Sequence, residues 1–154
     1  MIFPLMLKAP RPSRVQDMKA ALCRPWCPKG FSLTFFGYIL TDTQTWADHL
    51  NSTFDAHKNH EMIHLRQAQA TNDSWWLFYF KYVGYSLAAL RHWRRIKRAC
   101  YWLNPFEMEA YAHQHDLEYL EKDENKGGTE WRTLARMNIT EKMDFLKKHK
   151  IGQN

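Results

Sequence analysis

Cysteine is scarce in this chain of 154 residues and odd in number: Cys23 and Cys27 sit in the run CRPWC, and Cys100 stands alone. Without a second pair there is no four-thiolate metal site, and an odd count does not make a disulfide framework. The opening MIFPLML does not read as a secretion signal either, because it has no charged leader and Pro4 and Lys8 interrupt its short apolar run. These absences predict a reducing, cytoplasmic interior and leave the first residues as a strand or an anchoring arm. No internal repeat, low-complexity tract, helix-turn-helix or zinc-finger spacing is visible, which excludes repeat architectures and the common DNA-reading modules.

The apolar stretch from Trp75 to Leu90 is also too short for a membrane span. It covers 16 residues and contains Lys81, against the roughly 20 residues that cross a bilayer. It reads as a buried helix. Its Trp and Tyr content, and the Arg91, Arg94, Arg95, Lys97 and Arg98 that follow, are also what an interfacial helix near anionic lipid carries, so peripheral membrane contact is a second expectation here. A net charge of +6 and a pI near 9.3 raise nucleic acid as a partner. The cations gather at one helix end without a supporting motif, so a basic module binding nucleic acid or an anionic surface stands as the alternative to an enzyme.

What the chain has in quantity is core material. At 45% apolar and 15% aromatic residues it has enough to fold as one domain. From Thr41 to Ala70 there is no Gly or Pro, and Thr41 with Gln44 has the form of a capping box, so a helix of about 25 residues is expected to start there. On or beside its apolar stripe fall His57, His60, Glu61 and His64. Two histidines four apart on a helix face the same way and can grip one metal ion, and a carboxylate directly after the first can take a proton from water beside that ion. A shuffle of this composition would produce the pattern in roughly 2 of 100 chains, so a third ligand has to decide.

The best source of one is NPFEMEAYAHQHDLEYL. Asn104 can cap, Pro105 suits the first helical position, and a helix is expected from Phe106 to Leu120. Glu107 and Glu109 lie about 200° apart around its axis, so only one can point at a common centre. Glu107 could instead fold back on Asn104 as a capping-box partner, which would make Glu109 the ligand. His113 and His115 read as surface or packing residues, and His57 as a polar group at the cleft edge.

The pair of motifs resembles the gluzincin-type zinc metallopeptidases, in which His-Glu-x-x-His is followed downstream by a helical Glu-x-x-Ala. It is also similar to small uncharacterised bacterial proteins that pair a HExxHxxQ helix with an aromatic-Glu-x-Glu-Ala-Tyr helix; there Gln67 and Tyr111 match too, and the likeness runs from about Phe31 to Leu120. The resemblance implies His60, His64 and Glu107 as Zn2+ ligands, Glu61 as general base, and a peptide or protein substrate. Where many gluzincins have Asp or Asn after the alanine, this chain has Tyr111, a candidate oxyanion donor. The resemblance also implies that FSLTFFGYIL, residues 31–40, a strand by composition with Gly37 at a bend, borders the cleft as an edge strand.

The expected fold is α+β: a mainly helical zincin-like domain over residues 1–154, with a small sheet beside the metal helix. Its core runs from about 31 to 120, and 121–154 form a helical extension in which Thr140 caps a last helix from Glu141 to His149. Arg11 to Ser13, Pro25 to Gly30, Thr71 to Ser74 and the ENKGG stretch are the expected loops. The sequence leaves the oligomeric state open.

Overall fold

Residues 9–23, 29–122 and 127–152 are described by the computed structural model. The opening MIFPLML, Cys27, the ENK residues 124–126 and the final Gln153 and Asn154, on which expectations fell, lie outside them. Three short strands, β1 (Lys19–Leu22), β2 (Ser32–Phe35) and β3 (Tyr38–Thr41), make a mixed sheet in the order β1-β3-β2. The central β3 runs parallel to β1 and antiparallel to β2. Helices dominate the rest: α1 (Gln44–Ser52), α2 (Ala56–Ala70), α3 (Trp75–Ala89), α4 (Ala99–Trp102), α5 (Pro105–His113), α6 (Tyr119–Lys122), α7 (Trp131–Arg136) and α8 (Ile139–Lys148). The architecture is α+β, with the sheet beside α2.

Several expected elements are divided, each where a side chain competes for the backbone. Residues 31–40 form two strands, because Phe36 (φ 47°) and Gly37 (φ 90°) make a two-residue reversal with both central φ values positive. Phenylalanine seldom adopts that conformation. Its ring is buried against Trp75, Trp76 and Tyr79, and the Tyr79 hydroxyl accepts from Phe36 N–H (3.0 Å) while donating to Thr34 C=O (3.0 Å). Strand β1 carried no sequence signal. The Asn51 amide extends it, accepting from Ala20 N–H at 2.8 Å and donating to Ala20 C=O at 3.0 Å.

The long helix expected from Thr41 is two helices. Thr43, not Thr41, caps α1 by accepting from Trp46 N–H, and Ser52 turns its hydroxyl back on the carbonyls of Asp48 and His49. Asp55 then starts α2 by accepting from the N–H groups of His57 and Lys58, both at 3.0 Å. The helix expected to reach Leu120 ends at His113, and Asn59 Nδ2 donates to the carbonyls of His113, Gln114 and Asp116 just beyond. The last helix is capped by Asn138 in a capping box with Glu141, rather than by Thr140. Pro12–Arg14, overlapping the loop expected at Arg11 to Ser13, is a 3-10 turn.

The apolar core lies where the sheet, α2, α3 and α5 meet, with Ile39, Leu50, Leu65, Phe78, Phe106 and Trp131 buried together. A second cluster, including Leu103, Met108, Leu134 and Leu146, seats α7 and α8 on α5. The C-terminal helices therefore share in the core. Their approach depends on Gly128, at φ 71°, where an added Cβ would stand 2.5 Å from Arg66 Cγ and 2.9 Å from its backbone carbon. Gly128→Ala is expected to lower stability by about 1–3 kcal/mol, read as a fall in thermal midpoint; an unchanged midpoint would mean that the junction is loose.

The expectation of a buried helix at 75–90 fails in part. Trp75 and Phe78 are buried, but Trp76, Phe80, Val83 and Leu87 face outward. Among the described residues, no helix is long and apolar enough to cross a membrane.

Candidate metal centre

Helical spacing brings His60 and His64 to one side of α2, and α5 crosses so that Glu107 meets them. The two Nε2 atoms are 3.2 Å apart, His60 Nε2 is 3.4 Å from Glu107 Oε2, and His64 Nε2 is 3.4 Å from Glu107 Oε1. All three residues are buried. Bonds of about 2.0–2.1 Å to a tetrahedral ion require ligand-to-ligand edges of about 3.3–3.4 Å, against about 2.9 Å for adjacent octahedral positions. The nitrogen–nitrogen edge is close to the tetrahedral value; each nitrogen lies 3.4 Å from a different oxygen of the one carboxylate, and one ligand atom from each residue lies within 4.8 Å of the other two. Glu107 Oε2 and His60 Nδ1, both buried, find no hydrogen-bond partner among the described residues. An unsatisfied carboxylate oxygen facing two imidazoles is costly unless a cation or a proton sits among them.

With only its own charges, the cluster keeps a proton. Burial works against a charged imidazole, but the carboxylate of Glu107 overrides it and pushes His64 up to about 9. Burial likewise opposes ionisation of Glu107, and the charge on His64, with the His60 imidazole also close by, holds its carboxyl well below the usual carboxylate range. A bound cation would take the place of that proton.

The surrounding side chains fix these groups. Gln67, one turn after His64, accepts from His64 Nδ1 (2.8 Å) and donates to Phe106 C=O (3.0 Å) and to Glu109 Oε2 (2.9 Å). A bond at Nδ1 leaves His64 Nε2 directed at the cluster. Tyr82 donates to Glu107 Oε1 at 2.7 Å, and burial with the neighbouring Glu107 charge pushes its phenol far up, so it remains a donor. Glu61 lies beside the cluster, and its Oε2 accepts from Thr34 Oγ1 of the edge strand β2. The Tyr111 ring lies edge-on to His60, with centroids 4.6 Å apart, and its hydroxyl bonds that of Tyr101 at 2.8 Å. Burial pushes the Tyr111 phenol up.

The two acidic candidates on α5 part company. Asn104 does cap the helix by accepting from Phe106 N–H, but its own N–H goes to Tyr101 C=O, and Glu107 turns to the histidines. Glu109 points away from them, accepting from Gln67, from the Tyr119 hydroxyl (2.9 Å) and from the N–H groups of Glu130 and Trp131 (both 3.1 Å). His57 reaches the rim with its side chain 68% exposed. His113 pairs with Glu130 and stacks on Tyr119, while His115 is exposed. Cys23 and Cys100 are free thiols that take no part in the cluster.

A cavity of about 520 Å³ opens onto the cluster. Ser32, Leu33 and Thr34 of β2 form one side, and Tyr79 and Tyr82 of α3 and Tyr101 of α4 contribute aromatic walls. Sequence reasoning missed Thr34, Tyr79, Tyr82 and Tyr101. The 75, 78, 79, 82 spacing marks an inward face of α3, yet no local pattern announces which element that face will meet. Compared with protein-family models, curated proteins and solved structures, the chain shows no match.

Proposed function

We propose that the protein is a zinc-dependent hydrolase of peptide or other amide bonds, of the gluzincin-like kind, with His60, His64 and Glu107 as ligands. The observation that supports this most is the convergence of two imidazole nitrogens 3.2 Å apart, each 3.4 Å from a different oxygen of one carboxylate, among buried side chains and open to a cavity. Bound there, zinc would supply positive charge that polarises a carbonyl and makes water more acidic.

The protein's own groups would do the rest. Glu61, oriented by Thr34, receives a proton from the attacking water and returns it to the departing amine nitrogen. Among the described residues β2 pairs only with β3, and its outer edge can take a substrate backbone as a further extended strand. Tyr111, kept protonated by burial, is the candidate donor to the developing oxyanion. The phenol of Tyr82 and the carboxamide of Gln67 hold Glu107 and His64 in position.

Elemental analysis tests the reading. The purified protein is expected to carry about one zinc per chain and His64→Ala much less than that. Another metal in the wild type, or equal zinc in the variant, would overturn the assignment.

A further inference from the structure

Helix α3 is apolar on two sides. Its inward residues Trp75, Phe78, Tyr79 and Tyr82 serve the core and the cavity. Outward, Trp76, Phe80, Val83 and Leu87 recur at steps of four, three and four residues, one stripe along the helix, and are 54, 78, 53 and 62% exposed. The stripe continues through Leu90 to Trp93, which is 64% exposed. Contiguous apolar surface of this kind marks a docking face.

The charge around it says what docks. Residues 74–106 hold six Lys and Arg and no Asp or Glu, and six is the net charge of the whole chain. Five of them, Arg91, Arg94, Arg95, Lys97 and Arg98, are exposed just beyond α3. A second copy meeting this face would add a second set of cations, with no acidic group in the segment to answer them. An anionic lipid surface supplies both an apolar layer for the stripe and phosphates or carboxylates for the cations. Tryptophans at both ends, Trp76 and Trp93, suit the headgroup level.

We propose that α3 and the basic segment after it dock the protein on anionic bilayer surfaces, with the helix lying in the interface. At 15 residues the helix is about 22 Å long, too short for the hydrocarbon layer of about 30 Å. Tyr79 borders both the shallow groove on this face and the cavity of the metal centre, so a docked molecule holds that cavity close to the lipid.

Vesicle flotation of the full chain tests this, using phosphatidylcholine alone and phosphatidylcholine with roughly one third phosphatidylserine. Binding is expected on the mixed vesicles and much less on the neutral ones. Arg94→Gln with Arg95→Gln is expected to weaken it about thirtyfold, about fivefold per cation, and Phe80→Ser with Leu87→Ser at least about tenfold. All four positions are exposed, so thermal midpoints should match the wild type. Binding to neither vesicle, equal binding to both, or indifference to either pair of substitutions would overturn the proposal. So would a wild-type dimer that dissociates with Phe80→Ser and Leu87→Ser, or salt-sensitive retention on a single-stranded oligonucleotide in place of vesicle binding.

Discussion

Glu61→Gln is expected to retain zinc and lose turnover by about 10²–10⁴-fold, the usual contribution of a positioned general base, which corresponds to roughly 3–5 kcal/mol of barrier. Glutamine has the same shape and still offers an oxygen to Thr34 Oγ1, so the fold and the neighbouring ligands should stay as they are. What it lacks is a basic oxygen. Cleavage of a mixed peptide library, followed by mass spectrometry, measures the loss, while elemental analysis and a thermal midpoint on the same sample separate lost chemistry from lost structure. Turnover equal to wild type would remove Glu61 as the base and leave the metal assignment standing.

The second large effect separates the two glutamates of α5. Glu109→Ala strips acceptors from Gln67 Nε2, the Tyr119 hydroxyl and the N–H groups of Glu130 and Trp131. Leaving buried donors unpaired costs about 1–3 kcal/mol each when water cannot reach them, and removal of one partner from a buried charged network costs about 3–5 kcal/mol in all. That is a large part of the roughly 5–15 kcal/mol by which a domain is stable, and at about 2–4 °C per kcal/mol the thermal midpoint should drop by about 6–20 °C. Glu107→Ala is expected to lose most of the bound zinc, and its midpoint falls as well, because the change strips the acceptor from the Tyr82 hydroxyl and the partner from the charged His64. If Glu109→Ala empties the site while the fold survives and Glu107→Ala does not, the roles are exchanged.

How far the site could be read from sequence follows from the range of each signal. His60, Glu61 and His64 are tied by helical geometry, so their common direction is legible wherever the segment is helical, even though the helix begins at Ala56 rather than near Thr41. Glu107 against Glu109 was half legible: spacing says that only one can face the centre, and only the packing of α5 says which. The break at Ser52 to Asp55 was misread because absence of Gly and Pro is a weak guarantee when Asn51, Ser52, Thr53 and Asp55 can each satisfy backbone groups through their side chains. The hairpin was read as one bent strand because Phe36 in a left-handed turn goes against propensity, and Tyr79, 43 residues away, is what holds it there. Thr34 inherits its contact with Glu61 from that reversal, so nothing local could have announced it. The outward face of α3 was mistaken for core because apolar content alone does not distinguish burial in protein from a face left open.

Gln67 joins elements that the primary structure keeps far apart. One face of its carboxamide grips His64, and the other reaches Glu109, whose carboxylate receives the amides that open α7. A truncation ahead of Thr129 would leave Glu109 with fewer donors and Gln67 with a poorer anchor, and the imidazole would then be free to rotate. The start of α7 is therefore a buttress, and the shortest fragment expected to keep the proposed ligands in place includes it.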